Sequence, residues 1–179
     1  MSPSGQSALG QLQAQIDALK KQQARGLPEH PPWQRGCRVF RSTAQSIAHN
    51  TLTPVSFDTQ VTDTDSCWAV GVPTKLYATH AGYYMAGGQM HMTMGANAAD
   101  ILAAVRVDGT KYRGQQVLTA VASKEIALSV PTGMIWLAAS SYVEFIVRQI
   151  QASGSSAINL SAATADNQQF NNCWLVRIA

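Results

Sequence analysis

A chain of 179 residues has room for one ordinary domain and a small appendage. Its side chains are 46% hydrophobic and only 13% charged, about half the charged share expected of a soluble globular domain. A net charge of +3 is too small to argue for nucleic acid, and no run approaches the 18 or more apolar residues of a membrane span.

The first element is "LGQLQAQIDALKKQQ". Leu9, Leu12, Ile16 and Leu19 recur at steps of three, four and three, the a/d spacing of a coiled coil, and Ser7 stands where a helix cap belongs. At 1.5 Å per residue, residues 9–23 make a peg of roughly 22 Å. The flanking positions hold Gln13, Gln15, Lys20 and Gln22, so no charge code selects a different chain and self-association is the natural use. Two heptads are marginal alone and leave a second reading open, a single amphipathic helix docked on another protein. Ile16 with leucines at the other seam positions leans toward a dimer, so the number of strands is left to the remainder of the chain. Residues 1–41 carry six basic side chains against Asp17 and Glu29, whereas the rest is close to neutral.

Gly26, Pro28, Pro31 and Pro32 end the helix and stiffen the junction. The expected organisation is a stalk over 1–25, a proline-rich linker over 26–35 and a head over 36–179. From Gly36 the period changes to that of strands. "CRVFRS" is β-prone, "TPVSFDTQ" sets Val55 and Phe57 on one face, and "GYYMAGGQMHMTMG" gives Tyr84, Ala86, Met90, Met92 and Met94 one parity. "VDGTKY" places Asp108-Gly109 between two β runs, a strong hairpin signal. "SYVEFIVRQI" alternates Val143, Phe145 and Val147 with Tyr142, Glu144, Ile146 and Arg148, and "NNCWLVRIA" closes the chain. Eight or more short strands without a convincing helix after residue 33 predict an all-β antiparallel jelly-roll sandwich behind a short α-helical coiled-coil stalk.

Residues 38–178 resemble the trimeric jelly roll of the complement one-q and tumour necrosis factor superfamily, in the short versions of phage and bacterial proteins. The resemblance rests on "VFRSTAQSIAHNTLTPVSFDTQVTDTDSCW", "THAGYYMAGG", "AAVRVDGTKY", "SYVEFIVRQIQASGSSAINL" and "QFNNCWLVRI", in that order. Asp108 stands where asparagine is usual, and "GGQMHMTMG" is rich in glycine and methionine for a central strand. The resemblance implies a homotrimer around a threefold axis, with chain termini together at the base and loops exposed at the far end.

Asp63 and Asp65, with Asp58 upstream, form an acidic cluster. Carboxylates two apart in a loop suit calcium, and some members of the resembled family bind it, but six or more oxygens are needed and turn capping is the simpler role. His91 falls between Met90 and Met92 and is expected on the opposite face from them; a histidine near a threefold axis would gather three copies around an ion. Met85, Met90, Met92 and Met94 read as core or intersubunit filling, and Trp68 and Trp136 as the aromatics nearest to loops. Asp63, Asp65 and Trp68, Asn97 and Asp100, and Ser153 and Ser155 mark the loops expected to meet a ligand at the end away from the stalk. Cys37, Cys67 and Cys173 lack metal-ligand spacing; as small buried hydrophobes they need no partner, and a bridge between Cys37 and Cys173 is also open.

No glycine-x-serine-x-glycine elbow, phosphate loop or HExxH is present, so no enzyme and no cofactor is expected. The opening "MSPSGQSALG" carries no secretory signal. The expectation is a structural protein made in a host cytoplasm and carried on a bacteriophage virion surface. It would be a homotrimeric capsid decoration or short head fibre mounted on a capsid or tail protein by its N-terminal segment. Two alternatives stay open: a tail-associated knob recognising host surface glycan, and an exported bacterial surface protein of the same fold.

Overall fold

The computed structural model describes residues 10, 13, 15–17, 20, 35–152, 154, 156–162 and 171–178. The chain divides into two units, Met1–Pro31 and Pro32–Ala179. In the first, the described residues are helical, and Gln13 Nε2 donates to Asp17 Oδ1 at 3.2 Å, one turn along. Ile16 is 38% exposed, and Leu9, Leu12 and Leu19 lie outside the described residues. Among the described residues no helix is long and apolar enough to cross a membrane.

The second unit has thirteen strands among the described residues: β1 (Gly36–Phe40), β2 (Gln45–Ile47), β3 (Thr53–Pro54), β4 (Thr59–Asp63), β5 (Lys75–Tyr77), β6 (Gly82–Thr93), β7 (Ala99–Val107), β8 (Lys111–Ala120), β9 (Glu125–Pro131), β10 (Ile135–Leu137), β11 (Tyr142–Gln151), β12 (Ile158–Leu160) and β13 (Asn172–Arg177). They form two antiparallel sheets. The first runs β2-β12-β6-β13-β1-β4, with β9 and β10 on the other edge of β6; the second runs β3-β11-β7-β8, with β5 also on β11. The jelly-roll sandwich read from the sequence is therefore present.

Period-two alternation explains the core. On β6, Tyr84, Ala86, Met90 and Met92 point inward and are buried, as is Met94 just beyond it. They meet Val143, Phe145 and Val147 of β11 and Ile101, Ala103 and Val105 of β7 in one core. Phe57 packs edge-on against Phe145 at 6.3 Å between centroids. Each fully buried side chain of this size stabilises the fold by about 1.5–3 kcal/mol. β11 is buried on both faces, because Glu144 and Ile146 on its other side are buried too.

The glycines of β6 answer the oddity of its composition. A Cβ on Gly87 would collide with the indole of Trp174 on the outer face, and one on Gly88 would meet Cys173 Sγ at 2.7 Å and Phe145 on the inner face. The strand is thinned where large side chains cross it. The Asp108-Gly109 turn forms as expected, both residues at positive φ (48° and 70°), with Thr110 N donating to Val107 O at 3.1 Å.

β1 starts the head beside its end: Gly36 pairs with Val176 of β13. This brings the entry and exit of the sandwich together at one end, called the base below.

Candidate functional site

The outward parity of β6 carries Tyr83, Met85, Gly87, Gln89 and His91. Tyr83 (44% exposed) is paired in register with Trp136 of β10 (60% exposed), and their rings meet edge to face at 5.1 Å. Trp174 of β13 pairs with both Gly87 and Arg38, so its indole covers the glycine and the guanidinium shares its face. Depressions of about 400 and 350 Å³ flank Trp174, and both are lined by Arg38, Asn172 and Trp174. The outer face of the first sheet is thus aromatic and aliphatic over the base half of β6, with the Arg38 guanidinium beside Trp174. His91 lies further along this face, opposite the buried methionines as expected, with Nε2 3.7 Å from Glu125 Oε2.

A second apolar surface lies at the edge strand β8. Val117 and Leu118 point to opposite sides yet remain 58% and 38% exposed, with Tyr112 and Val121 also exposed. Leu118 pairs with the buried Ile101, so its side chain stands at the open margin of the core. Gln116 Oε1 accepts from Ser129 N at 2.9 Å and ties the strand to β9. A ten-residue edge with exposed apolar side chains is a template for another chain.

The turn after β4 is organised by Asp63. Its Oδ1 accepts from Cys67 N at 2.8 Å and Asp65 N at 3.3 Å, and its Oδ2 from Trp68 N at 3.0 Å. Ser66, at φ 53°, lets the chain fold back. The Asp63 carboxylate is thus the turn cap that was the simpler of its two expected roles, and Trp68, expected near a ligand, is buried with Nε1 3.4 Å from Pro73 O. Cys37, Asp63 and Cys67 bring one donor atom each within 4.8 Å of one another. Two sulfurs and one carboxylate suit a thiophilic ion such as zinc rather than calcium. All three cysteines are free and buried, and the neighbour of Cys37 is Cys67, not Cys173. The hydrogen bond to Cys67, then burial, push the Cys37 thiol well above its ordinary value; burial does the same to Cys173.

No family model and no curated protein matches the chain. Solved structures do match it. Murine APRIL at pH 5.0 aligns with a TM-score of 0.56 and 9% identity, covering 80% of this chain and 98% of that one. Eiger TNF from S. frugiperda aligns with a TM-score of 0.52 and 12% identity, covering 81% and 92%. The fold is the tumour necrosis factor-like jelly roll.

Within this TNF-like head the sequence-derived loops do not gather at one end. Asp63 pairs with Cys37 at the start of β1, so the Asp63–Trp68 turn lies at the base. Asn97 and Asp100 lie beyond the end of β6, at the opposite end, where Asn97 Nδ2 reaches Gln151 Oε1 at 3.5 Å and Asp100 accepts from Thr119 Oγ1 at 2.7 Å. A small cleft of about 120 Å³ lies beside Asp100, Thr119 and Gln151. Ser153 and Ser155 lie outside the described residues. Sequence reasoning missed Tyr83, Trp174, Val117 and Leu118 as surface residues, because apolar residues in a strand pattern signal a core equally well. Trp136, the neighbour of Tyr83 on the outer face of the first sheet, is an aromatic that the sequence does place near a loop.

Proposed function

We propose that this chain is a non-enzymatic structural protein that works as a ring of three copies, a trimeric knob on a bacteriophage virion surface. In this reading it is a capsid decoration or short head fibre, held to a capsid or tail protein by its N-terminal segment. One observation carries it: a single TNF-like head presents two unlike apolar surfaces, the Tyr83–Trp136–Trp174 face and the β8 edge. Unlike surfaces that fit each other make head-to-tail contacts, which close into a ring when the rotation allows. A contact of roughly 800 Å² per partner is the usual size for a stable pair. The a/d spacing of Leu9, Leu12, Ile16 and Leu19 supports the same use, since a short peg gathers chains whose heads meet beside it.

Three copies on one axis present every loop three times, and many trimers on a particle multiply this again, so weak contacts add through effective concentration. The chain is assigned no reaction.

Native mass spectrometry of the full chain at micromolar concentration tests the shared core of the reading. A trimer is expected, and a stable monomer overturns it. Immunogold electron microscopy of particles from the source then tests the location. Label over the heads fits a decoration or head fibre. Label confined to the tail replaces that role with a receptor-binding knob, and particles without label replace the virion with an exported bacterial surface protein.

A further inference from the structure

We propose that Cys37 and Cys67 are an oxidisable pair that closes into a disulfide when the folded protein meets an oxidising medium, stapling β1 to the turn after β4. The backbone places the two sulfurs together. Cys37 pairs across β1 and β4 with Asp63, and the chain then folds back four residues later under the Asp63 cap. Cys67 is held on both sides, its N–H by Asp63 and its carbonyl by Tyr77 N at 2.7 Å. The two sulfurs lie within 4.8 Å of each other and both residues are buried. Closing to an S–S bond of about 2.05 Å asks for side-chain rotation and a small adjustment of the turn.

Cys173 is not in reach of this bond. It pairs with Val39, whereas Cys37 pairs with Leu175, so Cys37 and Cys173 are diagonal neighbours on adjacent strands. Diagonal neighbours stand roughly 7–8 Å apart, beyond the usual Cα separation of about 4.4–6.8 Å in a disulfide. Metal is the competing use of Cys37 and Cys67. Asp63 already accepts three backbone N–H groups, and no fourth residue among the described ones joins the three donors, whereas a structural zinc takes four ligands.

The chemistry balances with a low-molecular-weight disulfide such as oxidised glutathione as oxidant. The Cys67 thiolate attacks one glutathione sulfur and releases one reduced glutathione. The Cys37 thiolate then attacks the Cys67 sulfur of the mixed disulfide and releases the second. One S–S bond breaks and one forms, and the two thiol protons leave on the two glutathiones. Burial and the protonated state of Cys37 make the exchange wait for local opening, so it runs over minutes to hours.

The test takes the full-length protein, reduced and desalted, into oxidised glutathione at mildly alkaline pH, with alkylation under denaturing conditions and peptide mass mapping. Two of the three thiols are expected to disappear and Cys173 to be alkylated. The linked Cys37 and Cys67 peptides should be lighter by two hydrogens. The unfolding midpoint should rise by several degrees over the reduced protein, and a Cys173→Ala variant should behave the same way. Three alkylated thiols after a day, a bridge that includes Cys173, a bond between chains, or one bound zinc per chain on the purified protein shielding both sulfurs would each overturn the proposal.

Discussion

The indole of Trp174 lies over the backbone of Gly87, one strand away, and fills the space that any Cβ at position 87 would need. The contact joins β13 to β6 on the outer face and sets the height at which the indole stands. A Gly87→Ala substitution must push the ring outward, and overpacking of this kind costs about 1–3 kcal/mol. Thermal unfolding of Gly87→Ala, Trp174→Ala and the double variant checks it. The double variant should recover most of the loss caused by alanine at 87, because its partner in the clash is gone.

The β8 edge and the Tyr83–Trp136 face are expected to act as one contact. Leu118→Lys places a charge on one side of that contact, and Trp136→Glu on the other. Each single change should dissociate the assembly at micromolar concentration while the subunit stays folded, since Trp136 is mostly exposed and Leu118 stands at the open margin of the core. Sedimentation velocity reads the first effect and circular dichroism the second. Mixing the two variants should restore part of the association, as lysine then faces glutamate at the mixed contacts.

The sandwich was legible because its signals are local. Period-two alternation on β6, the Asp108-Gly109 turn and the inward Phe57 and Phe145 follow from residue order alone. The site was not, for two physical reasons. Which side of an alternating strand faces water depends on what packs over it, so Trp174 reads equally well as core or surface. Which cysteines meet depends on strand neighbours: Cys37 and Cys67 come together only because β4 pairs with β1 and Asp63 turns the chain back. A bridge between Cys37 and Cys173 was left open beside three unpaired thiols, since first and last strands can pair, but the register puts the two diagonally.

Asp58 supplies the pH dependence. Its partial burial pushes the carboxyl up, but hydrogen bonds from Ser42 N (2.7 Å), Thr43 and Thr59 outweigh it and lower the pKa from 3.8 to about 2. A depressed folded-state value means the carboxylate stabilises the fold above the unfolded pKa, and the contribution is lost as pH falls from about 4 toward 2. The group is mostly exposed, so solvent screening limits the effect to about 1 kcal/mol or less. Unfolding midpoints measured across that window should drop less steeply for Asp58→Asn than for the parent chain.

Arg106 and Glu144 pair in register across β7 and β11, with the Arg106 Nη2 and Nε donating to one carboxylate oxygen at 2.9 and 3.2 Å. The glutamate side chain is only 7% exposed, so its charge depends on this guanidinium. Removing one partner leaves a buried charge without its counter-ion, a loss of about 3–5 kcal/mol in well-buried pairs. Arg106→Met should therefore destabilise the head strongly. Arg106→Met with Glu144→Leu should be far closer to the parent chain, because apolar residues of similar volume replace the pair without stranding a charge. Chemical denaturation of both variants beside the parent decides the matter: equal losses in the single and double variants would show that the pair contributes shape rather than charge.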